Sequence, residues 1–358
     1  FSLNTHSNMD QLFDRFFSSR AAARRTLLTI CAVYLVSVLA ANGYLYIKGK
    51  ERSLENTFAR REAVASLGGA VLEESFGRLV DTAVSLSSRV QLSKLVSEGK
   101  WVEAVRIMET VPKDFPYVER IFLSDTSGIL RADLPELYGV RGQDFSSRDW
   151  YKGVSKEWKP YISEVYTRAA PPQVNVIAVA VPIKTEDGVA VGILVMQIRL
   201  ETLLAWSRDI SFGQSATAYF VDHRGHIAAH PAVNLQGSIK DASDRIAVKH
   251  ALANESGAML AIDELTGDES VIAYAPVKGY GWGVIVEQPG RLALAEHYRA
   301  TISTLVIQLI VSSLGLLLIA FVSLALSKLA LHRQREKAFL QSLGDGLVAI
   351  DQNWNILL

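Results

Sequence analysis

Cysteine is almost missing: Cys31 is the one thiol in 358 residues. That excludes an intrachain disulfide framework and a cysteine zinc site. A surplus charge is missing too. Lysine plus arginine number 37, as do aspartate plus glutamate, so no net field points to nucleic acid or an acidic partner. No glycine-rich phosphate loop, nucleophile elbow or framed pair of catalytic carboxylates is found. Nothing here marks an enzyme, and no cofactor is implied. Phe1 stands in place of an initiator Met, and Leu358 falls inside a strand-like run, so the chain reads as a piece of a longer protein.

What is present is concentrated hydrophobicity. Residues 26–47 (TLLTICAVYLVSVLAANGYLYI) carry no charge, and neither do residues 300–327 around LVIQLIVSSLGLLLIAFVSLAL. As a helix the first run spans about 33 Å, enough for the hydrocarbon core of a bilayer. Its apolar stretch is too long for a typical signal-peptide core and no clear A-x-A site follows, so it reads as an uncleaved anchor. Basic residues lie on both sides of the first run. The second is followed by Lys328, Arg333, Arg335 and Lys337, against Arg291 and Arg299 before it. Positive-inside bias then places both termini in the cytoplasm and residues 48–299 outside, since a long loop crosses largely regardless of its charge.

Between the runs, residues 48–98 read as one long helix, with Leu54, Phe58, Ala63, Val64, Leu67, Val71, Leu72, Phe76, Leu79 and Val80 at roughly helical spacing. A short helix at 101–110 ends before Pro112. The period then falls to two. Val118–Leu123, the turn Asp125-Thr126-Ser127-Gly128 and Ile129–Asp133 form a hairpin. Asn175–Ile183 and Val189–Ile198 form another across Thr185–Gly188, and helix returns at 200–210. The plan repeats with Thr217–Val221, the turn Asp222–Gly225 and His226–Ala229, then strands at 258–265, 270–276 and 281–288. The expected fold class is α+β: a long N-terminal helix and two tandem PAS-like antiparallel-sheet modules, 99–210 and 211–299, flanked by transmembrane helices. Because the second module runs straight into the exit helix, the first is expected to lie farther from the membrane.

The stretches IFLSDTSGILRA, DFSSRDWYKG, YISEVY with NVIAVAVPI, FVDHRGHIAAHP and YAPVKGYGWGVIVEQP resemble the double-Cache family of extracytoplasmic sensor domains. The likeness covers about residues 50–295. It implies a bacterial inner-membrane receptor that works as a homodimer, with a ligand pocket in the first module and a relay in the second.

The sharpest cluster is Arg148-Asp149-Trp150-Tyr151. A guanidinium grips a carboxylate through two parallel hydrogen bonds, and aromatic walls exclude water from them. Tyr161 or Tyr166 offers a hydroxyl donor nearby. In double-Cache domains that bind amino acids, the matching positions holding the carboxylate are Arg148, Trp150, Tyr151 and Tyr166. The acidic positions that hold the ammonium group align with Arg168 and Gln197, neither of which is negative. A ligand ammonium would meet an arginine instead of a counter-ion. The expected ligand is an organic carboxylate without an amine, clamped by Arg148 and Arg168. His223, His226 and His230 have metal-like spacing, but a tight turn scatters them over different strands and faces, and no metal is expected.

After the second apolar run, residues 328–338 form a basic connector. Residues 339–358 (FLQSLGDGLVAIDQNWNILL) resemble the opening of a PAS domain, which implies the input half of a sensor histidine kinase, with a response regulator met only through the remaining output domain. A diguanylate cyclase or phosphodiesterase, or a chemoreceptor, fits the same input. A non-signalling structural or transporter-associated membrane protein would keep the topology without ligand-dependent output. A membrane enzyme would need convergent nucleophiles or metal ligands around Arg148.

Overall fold

The uncharged run does not end its helix where charged residues begin. In the computed structural model, which describes residues 20–209, 216–262, 267–293, 295–344, 349–350 and 356–357, it continues as α1, Arg20–Ser87. The adjacent Gly68 and Gly69, residues of low helix propensity, do not break it. A Cβ on Gly69 would stand 2.6 Å from the Pro276 carbonyl oxygen, so glycine there lets the helix press onto a strand backbone. The interruption comes later than the glycines suggest: Arg89 is extended (φ −65°, ψ 122°), and α2, Val90–Ser97, starts after it. The expected helix at 101–110 is also shorter. α3 covers Trp101–Arg106, and Pro112 sits in the first turn of a separate α4, Val111–Asp114. A proline fits there because first-turn N–H groups have no helical acceptor to lose.

The chain divides into two compact units, Ser53–Ala295 and Phe1–Arg52 with Glu296–Leu358. The first unit holds both sheets. β1 (Val118–Ser124), β2 (Leu130–Leu134), β3 (Tyr161–Ile162), β4 (Tyr166–Thr167), β5 (Asn175–Lys184) and β6 (Ala190–Arg199) form one, ordered β2-β1-β6-β5-β3 with β4 also on β5. β7 (Thr217–Val221), β8 (Ile227–Ala229), β9 (Gly257–Ile262), β10 (Glu269–Val277) and β11 (Trp282–Pro289) form the other, ordered β8-β7-β11-β10-β9. The topology is therefore the same in both modules. Helix α5, Asp149–Glu157, lies in the first module; α6, Leu200–Asp209, leaves it; α7, Ile246–Leu252, belongs to the second; and α8 is Gly290–Ala293.

Alternation divides each strand between two faces. Ile177, Val179, Val181 and Ile183 of β5 join the core that α1 also enters with Leu72, Phe76, Leu79 and Leu86. Val176, Ala178 and Ala180 face a second core with Trp150 and Val154 of α5. The second sheet repeats this, with Tyr219, Val221 and Ile285 under Val248 of α7. Burial on both faces is why NVIAVAVPI reads as nearly continuous apolar sequence. Leu67, expected on the packed face of α1, is 58% exposed.

The same turn is also built twice. The Asp125 carboxylate accepts from Ser127 N and Ile129 N, and the Asp222 carboxylate accepts from Arg224 N and His226 N. Gly128 and Gly225 follow at φ +90° and +88°, each against a serine backbone where a Cβ would clash.

In the other unit, α1 and α9 (Ala295–Gly344) are each long and apolar enough to cross a membrane, and their most apolar windows are unburied. A core helix of a water-soluble protein would hide such side chains; Leu28, Leu39, Leu317 and Phe321 are all exposed. α9 meets α1 closely at Gly315, where a Cβ would strike the Tyr34 hydroxyl. β12 (Ala349–Ile350) and β13 (Ile356–Leu357) pair antiparallel after α9. The N-terminal segment before Arg20, residues 210–215, the end of the expected strand 258–265, and residues 345–348 and 351–355 of the PAS-like stretch lie outside the described residues.

Candidate ligand-binding site

Four of the expected site residues converge. Arg148 precedes α5 in extended backbone (φ −72°, ψ 147°), which turns its side chain toward β4 instead of along the helix. Its guanidinium lies over the Tyr166 ring, 5.4 Å from the centroid, and no carboxylate among the described residues pairs with it. Trp150 is buried and meets Phe122 edge-on at 5.4 Å. Gln197 of β6 donates from Nε2 to the Tyr166 hydroxyl at 2.8 Å. Together with Arg120, Phe122, Leu130, Val140, Phe145, Ala169 and Ala170, these four line a cavity of about 20 Å³. That is room for about one water molecule, so the walls must part to admit a larger ligand.

Arg120 was not singled out by its sequence pattern, and it completes the cavity's electrostatics. In β1 it faces Gln197 across the ladder, and it is 3% exposed. Its Nη2 donates to Asp133 at 2.5 Å, and that carboxylate also accepts from Arg141 Nε and Leu137 N. Burial lowers the Arg120 pKa, with the attraction of Asp133 working against it. Arg120 Nε and Gln197 Oε1 are buried without a hydrogen-bond partner. Burial pushes the Tyr166 hydroxyl up to about 12 although Gln197 and three nearby arginines pull the other way. It therefore stays protonated and able to donate. The lining thus offers two guanidinium groups, one hydroxyl and one amide, and no carboxylate.

The other expected residues lie elsewhere. Arg168 does not line the cavity: it is 5% exposed, and its guanidinium is held at 2.7 Å both by Glu119 and by the Pro172 carbonyl oxygen. Glu119 pairs in turn with Arg199. Arg168 therefore clasps the loop that carries Ala169 and Ala170. Tyr151 donates its hydroxyl to Thr126 O at 2.9 Å. Tyr161 donates to Asp149 Oδ1 at 3.2 Å and packs over Gly153, where a Cβ would run into its ring.

Asp149, next to Arg148, faces the second module. Its Oδ2 accepts from Glu164 N at 2.9 Å, and its Oδ1 stands 3.5 Å from His223 Nε2. Arg224 Nε meets Glu164 at 2.6 Å, and Val165 N donates to Asp222 Oδ2 at 2.8 Å. The segments bearing Arg148 and Tyr166 are thereby tied to the β7–β8 turn. Burial alone would depress the His223 imidazole, but the hydrogen bond and charge of Asp149, with Asp222 and Glu164, raise its pKa above the ordinary value. Burial and Asp149 likewise raise the Glu164 carboxyl. Asp149, Glu164 and His223 bring one potential metal-ligating atom each within 4.8 Å, but Arg224 already supplies the cation to that cluster. His226 and His230 have partners of their own, Asp222 Oδ2 and Ala232 N.

A larger cavity of about 730 Å³ lies between Val84–Ser97, Trp158–Pro160 and the β5–β6 turn. It is an open groove whose walls mix apolar side chains such as Val84, Val90 and Trp158 with exposed Lys94, Lys159 and Lys184. We place the site in the smaller cavity because its polar atoms are buried and convergent.

Two modules of one topology, each an antiparallel sheet with a short helix over one face and a shared long helix on the other, define a tandem-module sensor fold. The Cache domain family model (dCache_1) matches residues 44–296, and the chain belongs to that family. In structure it is similar to the ligand-binding domain of the Pseudomonas fluorescens chemoreceptor CtaA in complex with L-isoleucine (TM-score 0.54, 17% identity, 69% of this chain and 98% of that one). It is also similar to that of the Pseudomonas aeruginosa PAO1 amino acid chemoreceptor PctB with L-Gln (0.52, 17%, 68% and 96%). A third is the extracellular domain of mmHK1S-Z3, assigned as a histidine kinase (0.53, 17%, 66% and 96%). No curated protein matches the chain significantly in sequence.

Proposed function

We propose that this chain is the sensing half of a membrane receptor whose first Cache module binds a small organic carboxylate without an amine. The observation that carries this reading is the charge of the cavity lining: Arg120 and Arg148 with no carboxylate. The chemoreceptor domains above hold amino acids, ligands whose ammonium group needs a negative or strongly accepting partner. Among the residues lining this cavity the orphan acceptor is the neutral Gln197 Oε1. An incoming carboxylate finds Arg148 unpaired, Arg120 Nε without an acceptor, and the Tyr166 proton. In such a dry setting charge-assisted hydrogen bonds are at their strongest.

The two apolar helices flanking the Cache domain support an extracytoplasmic placement of residues 48–299, with both termini in the cytoplasm. The β12–β13 pairing after α9 supports a folded module directly behind the membrane, as a PAS-containing histidine kinase requires. Ligand shifts the receptor through its differential affinity for two states. The closed cavity is one of them.

Isothermal titration calorimetry on the full chain in nanodiscs tests the assignment, with a panel of mono- and dicarboxylates against the matching amino acids. Carboxylates should bind and Arg148→Ala should weaken them by about 10–100-fold. Tyr151→Phe, outside the cavity, should leave affinity unchanged. No carboxylate binding, or carboxylate affinity unchanged by Arg148→Ala, would refute the site.

A further inference from the structure

The second module repeats the geometry of the first with a different charge pattern and a larger cavity. Arg245 precedes α7 in extended backbone (φ −66°, ψ 132°), as Arg148 precedes α5. Its guanidinium lies 5.8 Å from the centroid of Tyr219. Register makes the correspondence explicit. Gln197 stands opposite Arg120 on β1, four residues before the turn at Ser124, and Glu287 stands opposite Thr217, four residues before Val221. Glu287 thus occupies in the second sheet the place that Gln197 holds in the first.

Where two guanidinium groups and no carboxylate line the first cavity, a cation beside an anion lines the second. The Tyr219 hydroxyl bridges them, donating to Glu287 Oε1 at 2.8 Å and accepting from Arg245 Nη1 at 3.0 Å. Arg245 and Glu287 also face each other directly at 3.6 Å. These groups close one end of a cavity of about 280 Å³, near the lower end of small-molecule sites at roughly 300–1,000 Å³. Its other walls are apolar, among them Met259 and Ile272. At its edge Ile246 and Ile262 are 60% and 69% exposed, apolar surface left to water beside a ready-made recess.

We propose that the second module holds its own ligand site, for a small zwitterion with an apolar substituent. The carboxylate lies on Arg245, the cationic nitrogen on Glu287, and the substituent against Met259, Ile262 and Ile272. The reason for a zwitterion is electrostatic. Glu287 is 6% exposed, so a ligand with a carboxylate alone would set a second anion beside it and compete with it for Arg245. An amine alone would do the converse to Arg245. A zwitterion offers opposite charges side by side, so both halves of the existing pair gain a partner. This site stands independently of the carboxylate reading of the first module.

The test uses the full chain in nanodiscs carrying Arg148→Ala, which disables the first site. Calorimetry compares L-leucine, L-valine and L-methionine with 4-methylpentanoate and isopentylamine, each of which keeps the leucine skeleton but one charge. At least one zwitterion should bind saturably, at least tenfold tighter than either single ion. Glu287→Gln should weaken it by tenfold or more. Ile262→Arg, on the exposed edge and away from the buried pair, should do the same without altering thermal unfolding, which separates loss of the site from loss of the fold. No saturable binding by any of the three, or affinity unchanged by both substitutions, would overturn the proposal. Binding seen in the wild type and abolished by Arg148→Ala would assign the zwitterion to the first module and overturn both readings.

Discussion

Arg148 and Arg168 are both guanidinium groups beside the same strand, and their neighbours decide what each does. Arg168 has Glu119 and a loop carbonyl within reach and is consumed by them; Arg148 has only an aromatic face. The family resemblance brought Arg148, Trp150, Tyr166 and Gln197 forward, and these four side chains line one cavity. The resemblance did not separate Arg168 from them, since a partner 49 residues away at Glu119 leaves no local trace. Arg120 escaped for a related reason. One cation in an alternating strand reads as an outward residue unless both faces are known to be buried. At the same scale, His223 gives a pH dependence. Its folded pKa is raised, so the stabilisation from Asp149 is complete below the unfolded value of about 6.5 and is lost as pH rises through the folded one. The unfolding-temperature difference between wild type and His223→Gln should therefore be larger at about pH 5.5 than at about pH 8.5. An equal difference at both would mean that the imidazole is not charged in the junction.

Elements were legible wherever period and turn chemistry agreed. β5 and β6 with their Thr185–Gly188 turn, and the two Asp-x-x-Gly turns, follow directly from residue type. The ends of helices were less so: nothing in Ser88-Arg89 marks a break, which is imposed where α2 turns to bury Leu92 and Val96. Conversely, Gly69 looks like a weak point and is a contact. Two glycines of α1 make this testable. A Cβ on Gly77 meets only the Tyr280 hydroxyl at 3.9 Å, so Gly77→Ala should be neutral or stabilise by up to about 1 kcal/mol through helix propensity. Gly69→Ala drives a methyl into the Pro276 carbonyl and should cost about 1–3 kcal/mol. Thermal unfolding should order them accordingly, by about 2–4 °C per kcal/mol. Equal midpoints would mean that α1 does not press on β10 there.

At the scale of the whole molecule, the repeat was readable from strand–turn–strand order, and the apolar runs from composition. What sequence did not convey is how firmly the modules are joined, because the junction is made from side chains on turns. The receptor reading proposed above requires signal transfer to α9. In a Cys31→Ser background, single cysteines placed through 302–326 should change their disulfide crosslinking pattern between subunits when a bound organic acid is added. An identical pattern with and without it would exclude a piston or rotation of that helix.

The ties from Asp149, Glu164 and Val165 to Asp222, His223 and Arg224 also set a rule for building hybrid receptors. A graft that takes the first module and stops at the end of α6 would strip two carboxylates of the basic side chains they face and a backbone N–H of its acceptor. To carry its specificity to a new host, the donor must bring the β7–β8 turn with it.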